Sequence, residues 1–288
     1  MPELPEVETI ARDLNKYLQN DSIVSIKTVN PGKILATPLA SFKKAILKKT
    51  VNKIFRRAKM VVIDLGQTVV VFHLKMTGQL IFSANSKKAT VAGGHPIKST
   101  GVNVPNKFTR LIFKFKKGGT LYFNDIRKFA WVKSFTKDEF DRFNQTIGQE
   151  PLHNNFNYKI FSNLLARRKN TIIKAALLDQ KLIVGLGNIY VDEVLFKAHV
   201  RPMRRVKSLS TKELNNIYKA IPIILNKAIK ERGTTFSDFR DPDGLEGNFV
   251  KYLKVYGRAQ KQCKNCKGPI QKTRVAGRGT HWCKNCQK

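Results

Sequence analysis

All four cysteines of this 288-residue chain lie between positions 263 and 286, as Cys263-x-x-Cys266 and Cys283-x-x-Cys286 with sixteen residues between the pairs. Two such knuckles can bring four thiolates into tetrahedral reach of one Zn2+. A shell closed by four protein ligands leaves no position for substrate, so the ion expected is structural. The absence of cysteine elsewhere argues against a disulfide framework. Residues 263–288 are therefore expected to be a small metal-held module. Lys272, Arg274 and Arg278 fall between the knuckles, on what should be a hairpin turn suited to phosphate contact.

Ahead of this module the pattern switches from mostly strand to helix near residue 148. Val7, Ile10, Ala11, Leu14 and Leu18 recur at helical spacing and predict a helix over 5–18, with Pro5, Glu6 and Glu8 suiting its first turn. From 22 to about 135 the apolar runs are short and β-branched and are broken by Gly66-Gln67 and Gly118-Gly119, which predicts a β-sandwich or barrel. A helical pattern at 39–48 interrupts it. Residues 84–106 are polar and rich in Gly, Ser and Lys, and are expected to be a mobile loop. Past Gly148-Gln149-Glu150-Pro151 the period becomes helical over 158–230, with Pro222 expected to kink or split the last helix. The tail from 250 should form a β-hairpin.

Charge narrows the partner. Fifty-four Lys and Arg against twenty Asp and Glu give +34, far beyond what solubility requires. Such a body attracts polyanions, and nucleic acid gains affinity through counterion release. No run approaches the ~20 apolar residues of a membrane span, no basic amphipathic helix suits a membrane surface, and Met1–Ile10 has no secretory pattern. The expected setting is intracellular and reducing: cytoplasmic, nucleoid-associated and without a membrane partner.

The N-terminus carries the chemistry. Pro2 follows Met1, and removal of Met1 would expose a secondary amine beside the Glu3 carboxylate. On a sugar carbon a secondary amine gives a cationic iminium, an electron sink for elimination. Read alone, Met-Pro-Glu is a common tripeptide and reads as the start of a helix. Asn188 sits in a Gly-Asn turn where a helix can begin, so its amide and the adjacent N–H groups suit a phosphate. Tyr190, Asp192 and Glu193 read as packing and capping residues.

The segment Met1-Pro-Glu-Leu-Pro-Glu-Val-Glu-Thr9 resembles the N-terminus of the formamidopyrimidine-DNA glycosylase family. The likeness continues in order through Arg56-Arg-Ala-Lys59, His73-Leu-Lys-Met-Thr-Gly78, Asp125-Ile-Arg-Lys-Phe129, the stretch Leu178–Glu193, Val255-Tyr-Gly-Arg258 and Gly277–Cys283. Ala58, Lys75, Ala130 and Gln149 depart from the usual pattern.

The resemblance implies an α+β multidomain fold. A β-sandwich catalytic domain flanked by helices would span 1–147 and a linker 148–157. A helix–two-turns–helix DNA-binding domain with a lesion loop would span 158–262, and the zinc finger 263–288. It implies a bifunctional glycosylase and abasic-site lyase acting as a monomer on damaged double-stranded DNA, excising 8-oxoguanine and formamidopyrimidines through a Pro2 Schiff base and β,δ-elimination. Pro2, Glu3, Lys59 and Arg278 would be catalytic. Met76, Arg127, Lys128, Phe129, Asn188 and Arg258 would bind DNA. Met76, Arg127 and Phe129 would fill the hole left by a flipped base, although pattern alone leaves Met76 and Phe129 equally readable as core. Arg232, Gly233, Thr234, Thr235, Phe236 and Ser237 would form the loop over the extruded base, or an ordinary connection. Two rivals remain: the sister activity on oxidised pyrimidines, and a non-catalytic nucleic-acid-binding protein.

Overall fold

The computed structural model describes residues 1–84, 91–94, 104–234 and 247–288. The chain forms two compact units, Met1–Gln145 with Glu231–Asn248, and Thr146–Lys230 with Phe249–Lys288.

The first unit is a β-sandwich with helices on its flanks. Helix α1 (Leu4–Leu18) buries the stripe Val7, Ile10, Ala11, Leu14 and Leu18 that its spacing predicts, and Leu4 besides, and α2 (Leu39–Ile46) buries Phe42 and Ile46. One sheet contains β2 (Lys53–Arg57), β3 (Met60–Asp64), β4 (Thr68–His73) and β9 (Trp131–Thr136) in that order. The other runs β1 (Ile23–Thr28), β7 (Thr109–Phe115), β8 (Thr120–Asp125), β5 (Gly78–Ser83) and β6 (Val91–Gly94). Every pairing is antiparallel. Phe72 from the first sheet meets Phe113 and Phe123 from the second at ring-centroid distances of 5.8 and 5.7 Å, which places the core between them. Helix α3 (Lys137–Gln145) closes the sandwich segment and seats Phe140 against Phe135.

Strand β6 corrects the reading of 84–106 as loop throughout. Val91–Gly94 pairs with β5, from Phe82↔Val91 to Gln79↔Gly94. Its Ala-Gly-Gly composition shows no alternation, yet glycine is what the position needs: a Cβ at Gly93 would lie 2.1 Å from the Ile10 side chain of α1. Val104 is buried with Ile81 and Tyr122. The rest of that stretch, 85–90 and 95–103, lies outside the described residues.

The second unit is helical and ends in a hairpin. It holds α4 (Tyr158–Ala166), α5 (Ile173–Leu178), α6 (Asn188–Lys197) and α7 (Thr211–Lys230). Pro222 lies inside α7 without splitting it. A proline removes one ladder hydrogen bond, and the buried Ile217, Ile221 and Leu225 hold the helix through that gap. Strands β10 (Ile270–Val275) and β11 (Arg278–Cys283) pair as the expected hairpin. No helix among the described residues is long and apolar enough to cross a membrane.

Candidate active site

In the first unit the strand registers gather the sequence-predicted residues at one end of the sandwich. Arg57 pairs with Met60 across the turn that holds Lys59, Met60 pairs with His73, and His73 pairs with Trp131. In the other sheet Gly78, just after Met76, pairs with Asp125, the residue that opens the Arg127–Phe129 loop.

Glu3 is the N-cap of α1 and is buried, as is Pro2. The Glu3 carboxylate accepts the Glu6 amide, and the Glu6 carboxylate accepts the Glu3 amide at 2.9 Å. This reciprocal pair satisfies donors that a helix start leaves open. The other Glu6 oxygen accepts the amide and hydroxyl of Thr234, at 2.8 and 3.0 Å. Gly233 has φ +81°, and a Cβ there would come within 2.7 Å of Glu6 Oε1. The Arg232 guanidinium forks onto both oxygens of Asp13. The described start of the expected lesion loop is thus fastened to α1; Thr235, Phe236 and Ser237 lie outside the described residues.

Lys59 is buried and follows Ala58, whose φ of +54° is a left-handed conformation that favours glycine. The turn is tied to α1 by Arg56, which donates to Glu8 at 2.8 Å and to the Ala58 carbonyl at 3.1 Å. His73 accepts the Lys75 amide on Nδ1 at 3.1 Å. Burial, then the charges of Lys75 and Lys59, lower its pKa to about 3, so the ring stays neutral.

Met76 and Phe129 are 45% and 56% exposed, which settles against a core role for either. Arg127 touches both: a guanidinium nitrogen lies 3.2 Å from Met76 Sδ, and its central carbon lies 4.5 Å from the Phe129 ring centroid. Lys128 is exposed with φ +52°. Beneath them the fully buried Asp125 accepts the Thr77 hydroxyl and the amides of Arg127 and Ala130, at 3.2 and 2.9 Å for the amides. Sequence reasoning quoted Thr77 and Asp125 within motifs but gave them no task. A buried carboxylate opening an otherwise exposed loop was the available signal.

In the second unit Asn188 begins α6, and its side-chain amide donates to the Gly279 carbonyl at 2.9 Å. Its Oδ1 and the Nε of Arg258 are buried without a protein partner. Another Arg258 guanidinium nitrogen donates to the Gln262 carbonyl at 2.8 Å. Arg278 is exposed just after the turn residues Ala276 and Gly277, both with positive φ. Its carbonyl accepts the Thr280 hydroxyl at 2.9 Å. That hydroxyl accepts from Lys174 at 2.8 Å, and Lys174 also pairs with Asp192 at 2.6 Å, both side chains fully buried. The second Asp192 oxygen accepts the His281 amide at 2.8 Å. Glu193, its carboxyl pushed up by burial, accepts the amides of Lys254, Val255 and Tyr256, each at 2.9 Å from an oxygen. Tyr190 is fully buried. Packing and capping are what these α6 residues do, whereas Lys174 escaped sequence reasoning because its partners lie far along the chain.

The four cysteine sulfurs lie within 4.8 Å of one another, with Cys263–Cys286 at 3.8 Å and Cys266–Cys283 at 3.4 Å. Tetrahedral zinc with bonds of ~2.3 Å requires S···S edges of about 3.8 Å. The set therefore fits a metal of that geometry.

Comparison with known proteins agrees with this layout. Residues 1–132 match the formamidopyrimidine-DNA glycosylase N-terminal domain, 147–240 the H2TH domain of the same enzymes, and 260–288 the zinc finger found in FPG and IleRS. A formamidopyrimidine-DNA glycosylase of Pelotomaculum thermopropionicum is 37% identical over 279 residues, 96% of this chain and 95% of that protein. One from Streptococcus agalactiae is 38% identical, covering 94% of each. Lactococcus lactis Fpg in complex with DNA containing an abasic site superposes with a TM-score of 0.85 at 33% identity over 99% of both chains. The same protein with DNA containing N7-benzyl-Fapy-dG gives 0.84 at 34% over the full length of both. With all three of its segments matched in order and relatives alike over nearly its whole length, the chain belongs to the formamidopyrimidine-DNA glycosylase family of DNA repair enzymes.

Proposed function

We propose that this enzyme is a bifunctional DNA glycosylase and abasic-site lyase that excises 8-oxoguanine and formamidopyrimidines from duplex DNA, as a monomer holding one structural Zn2+ on Cys263, Cys266, Cys283 and Cys286. The observation that carries the reading is the Arg127 cluster: Met76, Arg127 and Phe129 stand exposed, with Arg127 touching both of the others, at the end of the sandwich where Lys59 is buried. An apolar plug, a guanidinium and an aromatic wedge are what an extruded base leaves room for.

After removal of Met1, the Pro2 nitrogen attacks C1′ while the glycosidic bond breaks and the base departs with its bonding electrons. Glu3 protonates the sugar ring oxygen, opening the ring to an iminium. Loss of the C2′ proton expels the 3′ phosphate, and loss of the C4′ proton expels the 5′ phosphate. The product is a one-nucleotide gap flanked by phosphates. Lys59 pairs with a phosphate beside the lesion. Asn188 and Arg258, each with a buried polar atom lacking a protein partner, contact the DNA backbone with Lys128, and Arg278 contributes from the zinc hairpin. Residues 232–237 cover the base and read the N7–H that distinguishes 8-oxoguanine from guanine.

Borohydride reduction on a duplex with 8-oxoguanine opposite cytosine tests this. The expected result is a covalent adduct whose crosslinked peptide begins at Pro2, and its loss on a duplex lacking the lesion. An adduct mapped to a lysine, with full activity in Pro2→Gly, overturns the assignment. Faster excision of oxidised pyrimidines than of 8-oxoguanine in a lesion panel overturns the substrate.

A further inference from the structure

Four lysines with no part in the repair chemistry bracket the start of β1. The Lys48 amide donates to the Ile23 carbonyl at 2.8 Å, and the Lys49 carbonyl accepts the Ile23 amide at 3.0 Å. On the other side of the same strand the Lys116 amide donates to the Ser22 carbonyl at 2.9 Å, and the Lys117 amide to Asp21 at 3.1 Å. All four side chains are exposed, and none of their ammonium groups has an ion-pair partner among the described residues. Asp21 is buried, and the oxygen that takes Lys117 also takes the Ser22 amide at 2.7 Å, so this carboxylate serves the backbone. Lys53 faces Asp64 across its ladder and is left out of the group. Residues 85–90 and 95–103 contain no acid. Residues 235–246 contain four. Their described flanks, Thr234 and Asn248, pair with each other beside Glu6 in the first turn of α1. The lysine frame adjoins the far end of that helix, about 18 Å away, where the Asn20 amide donates to Val51 and the Asp21 amide to Leu18.

We propose that this frame binds the phosphate backbone of a second duplex DNA segment while the first is held at the catalytic end, so that the enzyme passes between segments without becoming free. Strand β8 leaves the frame at Thr120 and ends at Asp125, which opens the Arg127–Phe129 loop, so about 17 Å of strand separates the two places. A duplex is stiff over ~150 base pairs, and a segment seated at one end of the sandwich does not fold back to the other. Lys48–Lys49 and Lys116–Lys117 stand two strand spacings apart, roughly 10 Å. That lies between the ~6 Å of a minor groove and the ~12 Å of a major groove, so the two pairs can take phosphates on both sides of one groove. The Ser22 and Thr50 hydroxyls, 2.9 Å apart, lie between them as further donors, and Gly118 leaves open space for a backbone to approach. Lysines on phosphates bind any sequence, which is what a transfer site needs. Of the exposed side chains at 22–25, 48–50 and 114–118 only Val24 is apolar, too little for the anchored core of a protein interface. A second copy of this chain brings +34 against +34 and is repelled. The inference needs duplex binding only, whichever lesion is excised.

The full-length zinc-loaded protein is bound to a short fluorescein-labelled duplex carrying a stable abasic-site analogue, and its release into unlabelled undamaged duplex is followed by stopped-flow anisotropy. Release through free protein has one rate whatever the competitor concentration, whereas direct transfer accelerates with it. The rate is expected to rise at least about threefold over a ~tenfold rise in competitor. In Lys48→Gln/Lys49→Gln/Lys116→Gln/Lys117→Gln it should stay flat, and in Lys116→Gln/Lys117→Gln alone the rise should be about halved. The frame is farther from the catalytic end than the ~8 Å Debye length at physiological salt, so both variants should bind a single short duplex as the parent does. Urea melts matching the parent check the fold. A release rate independent of competitor in the parent overturns the proposal, and so does an equal rise in the quadruple variant. Weakened affinity of the folded variants for one short duplex overturns it as well, because the lysines then belong to the footprint of the first segment. Failure of 8-oxoguanine excision would leave this measurement untouched.

Discussion

The hydroxyl of Thr77 donates to the buried carboxylate of Asp125, joining the residue after Met76 to the residue that opens the Arg127–Phe129 loop. The same carboxylate takes the amides of Arg127 and Ala130, so one side chain sets the spacing of two exposed loops. Asp125→Asn keeps the volume and loses acceptor strength, and it should cost about 1–3 kcal/mol of stability. Excision should slow while binding to undamaged duplex stays close to parental, because the exposed trio loses its alignment rather than its chemistry. Denaturant melts and single-turnover excision check this; parental values in both would mean that the loops hold themselves.

Phe129→Ala and Arg127→Ala should separate two tasks. In the role proposed for them each residue acts once a base has left the stack, whereas phosphate contacts supply most affinity for intact duplex. Phe129→Ala should therefore bind undamaged DNA almost normally and excise slowly, with a defect that shrinks where the lesion is already mispaired. Arg127→Ala removes a charge-assisted partner, so its defect should vary with the opposite base. Single-turnover rates on duplexes differing only in that base distinguish them.

His73 makes stability fall with acid. Its ring is held neutral, with a folded pKa of about 3, by burial and by Lys75 and Lys59, while the unfolded residue titrates near 6.5. Between those values the unfolded chain binds a proton that the folded chain refuses. Stability is fully present above pH ~6.5 and is lost below it at up to about 1.4 kcal/mol per pH unit. His73→Gln should flatten that slope in urea titrations from pH 7 to 4, and equal slopes for the two proteins would discard the explanation.

Lys174 and Asp192 form a fully buried pair that also holds Thr280 and the His281 amide. Lys174→Met alone strands a carboxylate and should cost about 3–5 kcal/mol, whereas Lys174→Met with Asp192→Leu should recover much of that loss. Guanidinium melts of the two variants give the comparison. The single variant should also impair abasic-site cleavage, since Lys174 steadies Thr280 and, through it, the Arg278 carbonyl.

Removing the metal, or Cys283→Ala, should abolish DNA binding, because a module this small does not hold its shape without its ion and Arg278 is displayed from it. Metal content and duplex affinity measured on the same preparation check this. Tight duplex binding by a metal-free sample would contradict it.

Local pattern reads best where one side chain's neighbours are close in sequence. The α1 stripe from Val7 to Leu18, the helical period after 158 and the paired cysteine knuckles all have that property. Strand β6 was illegible because Gly93 exists to admit Ile10, a requirement imposed by a helix some eighty residues earlier. Asp125 and Lys174 look like surface polar residues until the fold closes over them. The exposure of Met76 and Phe129 could not be read either, since an apolar residue in a loop carries the same letter whether it faces core or solvent.

Residues 231–248 belong with the sandwich although the chain on both sides of them belongs to the helical unit. Arg232 and Thr234 supply partners for Asp13 and Glu6 on the first helix. During synthesis these partners emerge more than two hundred residues after the helix that receives them. The sandwich is thus the first unit to be translated and cannot be the first to be finished: α1 waits with two carboxylates turned toward a segment the ribosome has yet to release, and a chain cut short at 147 would never supply it.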